Sequence, residues 1–278
     1  MAKPLIILDS GHARNTGGKR APDNSLYEWE FNNDMQNRLE KRLKALGFDV
    51  YKTNPNPDTV SDIGLTKRAQ LANSYWASKG KPRALFISLH ANAYGVWTAA
   101  NGVEVFHAKN ASTTSKNNAK ILCKHIHEGL KKVRPGSVNR GVKSENFTVI
   151  YKTTMPSVLI EYAFYTNRED LKVLKNNRAE LCEATIKGIC ECFGVAYRAG
   201  VITNPTVKPV APDPYLVKII YEGAEGLNIR KEPNAMSQIM GQVRKGQVFT
   251  IVETKNGWGK LKSGMGWINL SSKYVKKM

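Results

Sequence analysis

The sequence predicts an α/β domain followed by a small all-β barrel, and three observations support this prediction. Over residues 1–197, apolar runs typical of strands alternate with amphipathic patterns typical of helices, which favours an α/β fold. Residues 198–214 are rich in proline and have no amphipathic period, so we predict a linker there. Over residues 215–278, short alternating runs are interrupted every few residues by Gly and Asn, which indicates a small barrel.

The individual elements follow from the same patterns. We predict strands at the short apolar runs of the first segment, residues 5–8, 84–89, 102–107 and 157–160. We predict helices near residues 31–46, 116–132 and 170–192. In the last segment, the runs "LVKIIY", "LNIRKEP", "VFTIVET", "WGKLK" and "GWINL" are the expected barrel strands.

Composition limits the classes of function. The 278 residues carry a net charge of +19, and both ends of the chain are basic. Such a field attracts polyanions: nucleic acid, an anionic membrane or an acidic cell wall. No apolar stretch approaches the roughly 18 residues of a transmembrane helix. The run after Lys3 ends in Asp9 and not in a small-residue cleavage site, so we expect no signal peptide and synthesis in the cytoplasm.

The four cysteines give no sign of a metal site or of a disulfide framework. They are Cys123, Cys182, Cys190 and Cys192, and none forms a C-x-x-C pair. We therefore expect reduced, partly buried thiols.

Three apolar runs end in residues that can bind a metal or move a proton. "LIILDSGH" ends in His12, "ALFISLH" in His90 and "SVLIE" in Glu161. Functional side chains collect beyond the carboxyl ends of parallel strands, so these three could converge on one point. Two imidazoles with a carboxylate suit a catalytic zinc. A single histidine at a strand end is more often a hydrogen-bonded structural residue, and the coincidence of three such placements is what favours a site.

A further ligand could come from the start of the first predicted helix, which offers Glu28 and Glu30. Glu28 shares its face with the apolar residues at i+3, i+7 and i+11, so it should point toward the core. Glu30 shares its face with charged residues. A carboxylate directed inward needs a partner, and zinc is one. Interaction with the helix dipole explains an acid at this position as well, and the pattern leaves both roles open.

At this point the sequence resembles a known family. The segments "DSGH", "LYEWEFNN", "LTKRAQLAN", "FISLHANA", "GVEVF" and "SVLIEYAFYTN" follow in order over roughly residues 4–195. They resemble the zinc-dependent N-acetylmuramoyl-L-alanine amidases called amidase type 3. The resemblance implies a twisted mixed β-sheet flanked by helices. It also implies that zinc is bound by His12, Glu28 and His90 and that Glu161 is catalytic.

One departure from the family pattern follows the first histidine. The usual Gly-Gly is replaced by "ARNTGGK", with glycines at 17 and 18. This longer loop leaves the predicted ligands intact and bears on the shape of the substrate groove.

The last segment resembles bacterial SH3-like cell-wall-binding domains. "GLNIRKEPN", "KGQVFTIVETKNGWGKLK" and "GMGWINLSSKYV" carry this resemblance. Trp258, Trp267 and Tyr274 could belong either to the barrel core or to a ligand platform, and we expect the two tryptophans to be largely structural.

Several other polar residues have weaker signals. His125 and His127 lie two apart on a predicted helix and cannot face one metal together. Glu104 is a possible groove residue, and His107 at the end of the same run could approach the site. Two more polar residues are expected to orient and cap a helix, Arg68 and Asn73.

The reaction that the resemblance implies is hydrolysis of the amide between N-acetylmuramic acid and L-alanine. Without a signal peptide, a wall hydrolase with a wall-binding module suggests a phage endolysin of a Gram-positive host, acting after release through a membrane lesion. Its partners would be peptidoglycan and a wall polymer. A host or prophage-encoded autolysin and a non-catalytic wall-binding protein are the alternatives. We expect no nucleic-acid partner, because a recognition helix with clustered arginines is absent from the sequence.

Overall fold

The computed structural model describes residues 3–58, 62–200, 214–255 and 257–278. The chain forms two compact units, Met1–Thr206 and Val207–Met278. Most of the predicted linker lies outside the described residues, so its boundaries stay a prediction. No helix among the described residues is both long and apolar enough to span a bilayer.

The first unit contains a sheet and flanking helices. Its strands are β1 (Leu5–Ser10), β2 (Asp49–Lys52), β3 (Ala84–Asn92), β4 (Val103–His107), β5 (Asn139–Ser144) and β6 (Ser157–Phe164). Its helices are α1 (Glu28–Ala45), α2 (Leu65–Ser78), α3 (Thr113–Val133), α4 (Thr148–Tyr151), α5 (Arg168–Asn176) and α6 (Arg178–Phe193). The single helix predicted near 170–192 is wrong: Asn177 separates two helices, and Asn167 caps the first of them through its side chain.

The sheet is mixed, as predicted. Its strand order is β2-β1-β3-β6-β4-β5, and only the β4–β6 pairing is antiparallel. Because side chains alternate between the two faces of a strand, each apolar strand supplies both faces of the sheet. One face packs on α1, α3, α5 and α6, and the other on α2 and α4.

The second face is apolar over only half of its height. Near the start of the parallel strands it carries Leu5, Phe86 and Leu159, which pack on α2 and α4. Further along the same strands, the residues on this face are polar, among them Ser88 and Glu161. The carboxyl half of this face therefore presents polar side chains, and His90 and Glu161 belong to it.

The connection between β3 and β4 crosses the sheet at the carboxyl ends of its parallel strands. β3 and β4 are not neighbours, because β6 lies between them, so residues 93–102 pass over the carboxyl end of β6. The crossing is held to the segment that follows β6: Tyr94 N donates to Thr166 Oγ1 at 3.0 Å, and Thr98 N donates to Thr166 O at 3.0 Å. Tyr94 and Val96 are each 71% exposed on this crossing.

The four cysteines are free and buried, as expected. Three of them lie on α6, and burial raises the pKa of Cys182 to about 12, so this thiol stays protonated at neutral pH.

The second unit is an all-β sheet of seven short strands, as predicted. Its strands are β7 (Tyr215–Ile219), β8 (Leu227–Arg230), β9 (Ile239–Val243), β10 (Val248–Lys255), β11 (Trp258–Leu261), β12 (Trp267–Asn269) and β13 (Val275–Lys277). They pair antiparallel in the order β13-β7-β10-β11-β12-β8-β9 around a small aliphatic core. Trp267 is buried, in keeping with a structural role, whereas Trp258 is partly exposed. Tyr274 packs against this core and against Tyr221.

Candidate metal centre

His12 lies in the loop that follows β1, two residues beyond the strand. His12 has φ 63°, the left-handed region that side chains rarely adopt. The preceding Gly11 is required because a Cβ there would lie 2.2 Å from the His90 ring.

The backbone of this loop is fixed by side chains from other elements. Asn54 Nδ2 donates to the carbonyls of Ser10 at 3.1 Å and His12 at 3.0 Å, and Asn32 Nδ2 donates to the Gly11 carbonyl at 3.0 Å. These bonds satisfy buried carbonyls, and they define the direction in which the His12 ring leaves the chain.

A buried ion pair lies below the loop. The Arg68 guanidinium contacts Asp9 at 3.2 Å, and it also donates to the Ser10 carbonyl. The second oxygen of Asp9 accepts from Ser88 Oγ at 2.7 Å. Arg68 is therefore an orienting residue, as expected, although it orients the end of β1. Asn73 instead bonds the segment before β6, through Lys152 O at 2.9 Å.

His90 and Glu161 lie inside their strands and not at the strand ends that the sequence suggested. β3 continues to Asn92 and β6 to Phe164, because the two strands stay paired past these residues with a register shift after His90. His90 and Glu161 are direct neighbours in that parallel pairing. The two side chains are thus brought to one place by register.

Glu28 is the first residue of α1 and is 3% exposed. The residues predicted to share its face, Phe31, Met35 and Leu39, are all buried. Glu30 is partly buried, so its side chain is less exposed to solvent than the charged residues on its predicted face suggested.

Glu28, His12 and His90 converge. Glu28 Oε1 lies 2.9 Å from His90 Nδ1, and Oε2 lies 3.4 Å from His12 Nε2. The backbone N–H of Ala91 donates to Oε1 at 3.3 Å, and the two imidazole rings meet edge to face with centroids 5.1 Å apart. Each of the three residues offers one potential ligand atom, and these atoms all lie within 4.8 Å of one another. Among the described residues, no other group of three His, Cys, Asp or Glu side chains meets this criterion.

These residues fit a tetrahedral metal ion. Metal–ligand bonds of 2.0–2.2 Å in a tetrahedron place the ligand atoms about 3.3–3.6 Å from one another. The contact of the Glu28 carboxylate with His12, 3.4 Å, lies in that range, and its contact with His90, 2.9 Å, is somewhat shorter. Two nitrogens and one oxygen leave a fourth position for water, as in catalytic zinc sites.

The charges of the site move two carboxyl pKa values in opposite directions. Burial raises the pKa of Glu28, but the hydrogen bonds and charges of His12 and His90 outweigh it and hold the pKa well below its usual range. Burial, with the negative charges of Glu28 and Glu104, raises the pKa of Glu161 well above its usual range. Such a split is typical of sites that assign different roles to two acids.

Glu161 has an unused oxygen. Its Oε2 is buried and has no hydrogen-bond partner among the described residues. A buried carboxylate oxygen without a partner is costly, so it is a place where water, an ion or a group of a ligand can bind.

The other histidines lie in other surroundings. His107 Nδ1 lies 2.8 Å from Ala108 O, His125 Nε2 lies 2.6 Å from Glu191, and His127 Nε2 lies 3.2 Å from Ser137 O. All three have local partners, and none belongs to the group of ligand atoms described above.

Asn32 and Asn54 are site residues that sequence reasoning missed. Asn32 is fully buried at i+4 from Glu28, and a polar residue on an otherwise apolar helical stripe is a readable signal. Asn54 follows β2 in "TNPNP", where a turn explains it equally well, so only the fold reveals its contacts.

Comparison with known proteins gives two family matches. Residues 6–191 match the N-acetylmuramoyl-L-alanine amidase family, and residues 225–276 match the bacterial SH3 domain. The chain is 27% identical to an endolysin of Bacillus phage SPP1, over 98% of this chain and 97% of that protein. It is 35% identical to the N-acetylmuramoyl-L-alanine amidase LytC of Bacillus subtilis, over 61% of this chain and only 31% of LytC.

Solved structures agree in fold. The catalytic domain of CwlV, an N-acetylmuramoyl-L-alanine amidase from Bacillus (Paenibacillus) polymyxa, superposes with a TM-score of 0.59 at 27% identity, covering 69% of this chain and 99% of that one. An N-acetylmuramoyl-L-alanine amidase from Clostridium difficile gives a TM-score of 0.60 at 25% identity, covering 70% and 99%.

Proposed function

This chain belongs to the N-acetylmuramoyl-L-alanine amidase family, and we propose that it uses a zinc ion to hydrolyse the amide between N-acetylmuramic acid and L-alanine in peptidoglycan. The observation that carries this proposal is the convergence of one buried carboxylate and two imidazoles beside a second carboxylate of raised pKa. The donor set and its spacing support zinc as the metal.

His12, Glu28 and His90 would hold the ion. When bound, zinc polarises the scissile carbonyl and lowers the pKa of a water molecule toward neutrality. Ala91 N–H and the neighbouring imidazoles orient the Glu28 carboxylate, and the side-chain bonds of Asn54 and Asn32 keep the His12 loop in place.

Glu161 would move the proton. Its unpartnered Oε2 accepts the proton of the attacking water and then donates it to the departing amine of L-alanine. A raised pKa suits this double role, because the group must both take up and release a proton near neutral pH.

The second unit would hold the enzyme on the wall. We propose that its SH3 domain binds a wall polymer, and the overall charge of +19 favours walls rich in anionic polymer. Similarity to a phage endolysin along nearly the whole chain supports the role of an endolysin released onto the wall of a Gram-positive host. A host or prophage-encoded autolysin would use the same chemistry.

Metal removal tests the proposal. Purified protein should contain about one zinc per chain, and dialysis against a strong chelator should abolish the release of peptide from purified peptidoglycan. Added zinc should restore the release, and circular dichroism before and after dialysis controls for unfolding. Full activity in a preparation shown to be metal-free would overturn the mechanism. Wall binding with no cleavage by the zinc-loaded protein would identify a non-catalytic wall-binding protein.

A shortened chain tests whether the first unit alone carries cleavage and the second unit carries wall binding. A chain ending at Gly200 should fold, keep its metal and cleave soluble muropeptides while losing affinity for whole walls. Gly200 is the better end point because the residues before it contact the first unit: Arg42 donates to Arg198 O at 2.6 Å, and Gly200 N donates to Glu183 at 3.3 Å.

A chain ending at Tyr197 is the matched control for this experiment. It lacks both of these contacts and should be less stable to denaturant by about 1 kcal/mol. If the Gly200 chain failed to fold, or if it bound walls as well as the full chain, the proposed division would be wrong.

A further inference from the structure

A charged cluster lies next to Glu161 on the same face of the sheet. Glu104 is the direct neighbour of Glu161 in the antiparallel pairing of β4 with β6. Glu104 Oε1 accepts from Asn92 Nδ2 at 2.7 Å. Its Oε2 accepts from Arg140 Nε at 2.7 Å and from the Lys143 ammonium. Three strands therefore contribute to one cluster.

The two cations of the cluster carry more positive charge than is required to neutralise Glu104. Glu104 carries one negative charge and is 7% exposed, whereas Arg140 and Lys143 carry two positive charges and are 31% and 40% exposed. One of these cations is sufficient to neutralise the carboxylate. The second leaves a net positive charge that faces solvent beside the proposed proton acceptor.

Arg140 is also held so that part of its guanidinium is available. Only its Nε contacts Glu104, and its two terminal nitrogens have no hydrogen-bond partner among the described residues. The guanidinium lies 5.0 Å from the centre of the Phe164 ring, which restricts its plane. A fixed guanidinium with two free terminal NH2 groups is the usual partner of a carboxylate.

We propose that Arg140 and Lys143 form a subsite that binds a carboxylate of the substrate's peptide, on the side of the scissile amide that leaves with L-alanine. This inference rests on the proposed function, because it names the recognition of the same substrate. The leaving amine receives its proton from Glu161 on β6. Glu104, on the adjacent strand β4, holds two cations that come from β5, the next strand beyond it. The subsite takes the carboxylate of the acidic residue that follows L-alanine, and Glu104 acts as a positioning residue that holds both cations.

The first test needs only the wild-type full chain loaded with zinc. It compares hydrolysis of two soluble substrates in which the γ-carboxyl group of D-glutamate is an amide: N-acetylmuramoyl-L-alanyl-D-glutamate γ-amide with its α-carboxylate free, and the same compound with the α-carboxylate amidated as well. We expect KM to be about tenfold lower for the carboxylate form, with similar kcat, because the charge-assisted contact is partly exposed to solvent. Equal KM values would overturn the subsite, while failure to cleave either substrate would overturn the proposed function instead.

The second test uses variants that avoid an unpaired buried charge. The triple variant Glu104→Gln, Arg140→Gln, Lys143→Gln removes the acid together with both cations and should lose the preference for the carboxylate form. Glu104→Gln alone retains both cations and should keep a preference of at least several-fold, even if its rate falls. The control pair Lys120→Gln, Lys131→Gln removes two exposed charges from α3, on the opposite side of the sheet, and should behave as wild type.

Binding provides a readout that is independent of turnover. The released dipeptide, L-alanyl-D-glutamate γ-amide, should bind the wild-type chain in calorimetry about tenfold more tightly than the form with its α-carboxylate also amidated, and the triple variant should bind both alike. A triple variant that kept the wild-type preference would show that the cluster serves only to stabilise β4 and β5.

Discussion

Glu28→Ala is expected to lose its bound zinc and all measurable peptidoglycan hydrolysis. The change removes a buried carboxylate whose Oε1 lies 2.9 Å from His90 Nδ1 and whose Oε2 lies 3.4 Å from His12 Nε2. Loss of an outer hydrogen-bond partner of a metal ligand already costs roughly 10- to 100-fold in metal affinity, and loss of a ligand should cost more. Bound zinc is measured by elemental analysis after identical dialysis of the variant and the wild type.

Glu30→Gln is the control for this change, since it removes a charge two residues away on the same helical turn. Glu30 is partly buried, so the isosteric amide is preferred to alanine, and the melting temperature is recorded alongside the metal content. The control should keep near wild-type zinc and activity. If the Glu30 variant lost the metal while Glu28→Ala kept it, the roles of the two acids would have to be exchanged.

Glu161→Gln is expected to fold and to bind zinc but to lose hydrolysis by roughly 100- to 10,000-fold, the usual contribution of a general acid–base group. The amide keeps the shape of the side chain and removes the proton acceptor. The measurement is the release of peptide from purified peptidoglycan, with zinc content determined in the same preparation.

The zinc content of this variant distinguishes two roles for Glu161. If zinc is retained and the rate falls, the residue acts on protons. If zinc is lost along with activity, Glu161 is a ligand, and the assignment of the base made here is refuted. A wild-type rate with Glu161→Gln would exclude both roles.

The sequence alone predicts the parts of this protein that depend on periodicity. The buried side of α1 follows from apolar residues at helical spacing after Glu28, and Phe31, Met35 and Leu39 are buried as predicted. After the prolines the sequence changes to short runs of alternating apolar and polar residues with frequent turn residues. This pattern predicts the second, all-β unit, because few other architectures have it. The convergence of His12 and His90 follows from placing strand ends at one edge of a parallel sheet.

Details that depend on pairing between distant segments were not predictable. The register that sets His90 beside Glu161, inside both strands, is fixed by the paired backbones and not by either segment alone. The contacts of Asn54 with the Ser10 and His12 carbonyls join residues that are 44 and 42 positions apart. The break between α5 and α6 depends on a single asparagine inside a continuous helical pattern.

The crossing of residues 93–102 over β6 has a consequence for how such enzymes can diversify. The proposed metal ligands and proton acceptor lie on α1, the β1 loop, β3 and β6, whereas this connection crosses the carboxyl end of β6 and exposes Tyr94 and Val96. Within the described part of the chain, residues 93–102 pair with no strand of the sheet, so their exposed side chains can vary without altering the register of β3 and β6. Exchange of Tyr94 and Val96 between relatives should therefore alter the surface at this edge while leaving the proposed reaction unchanged.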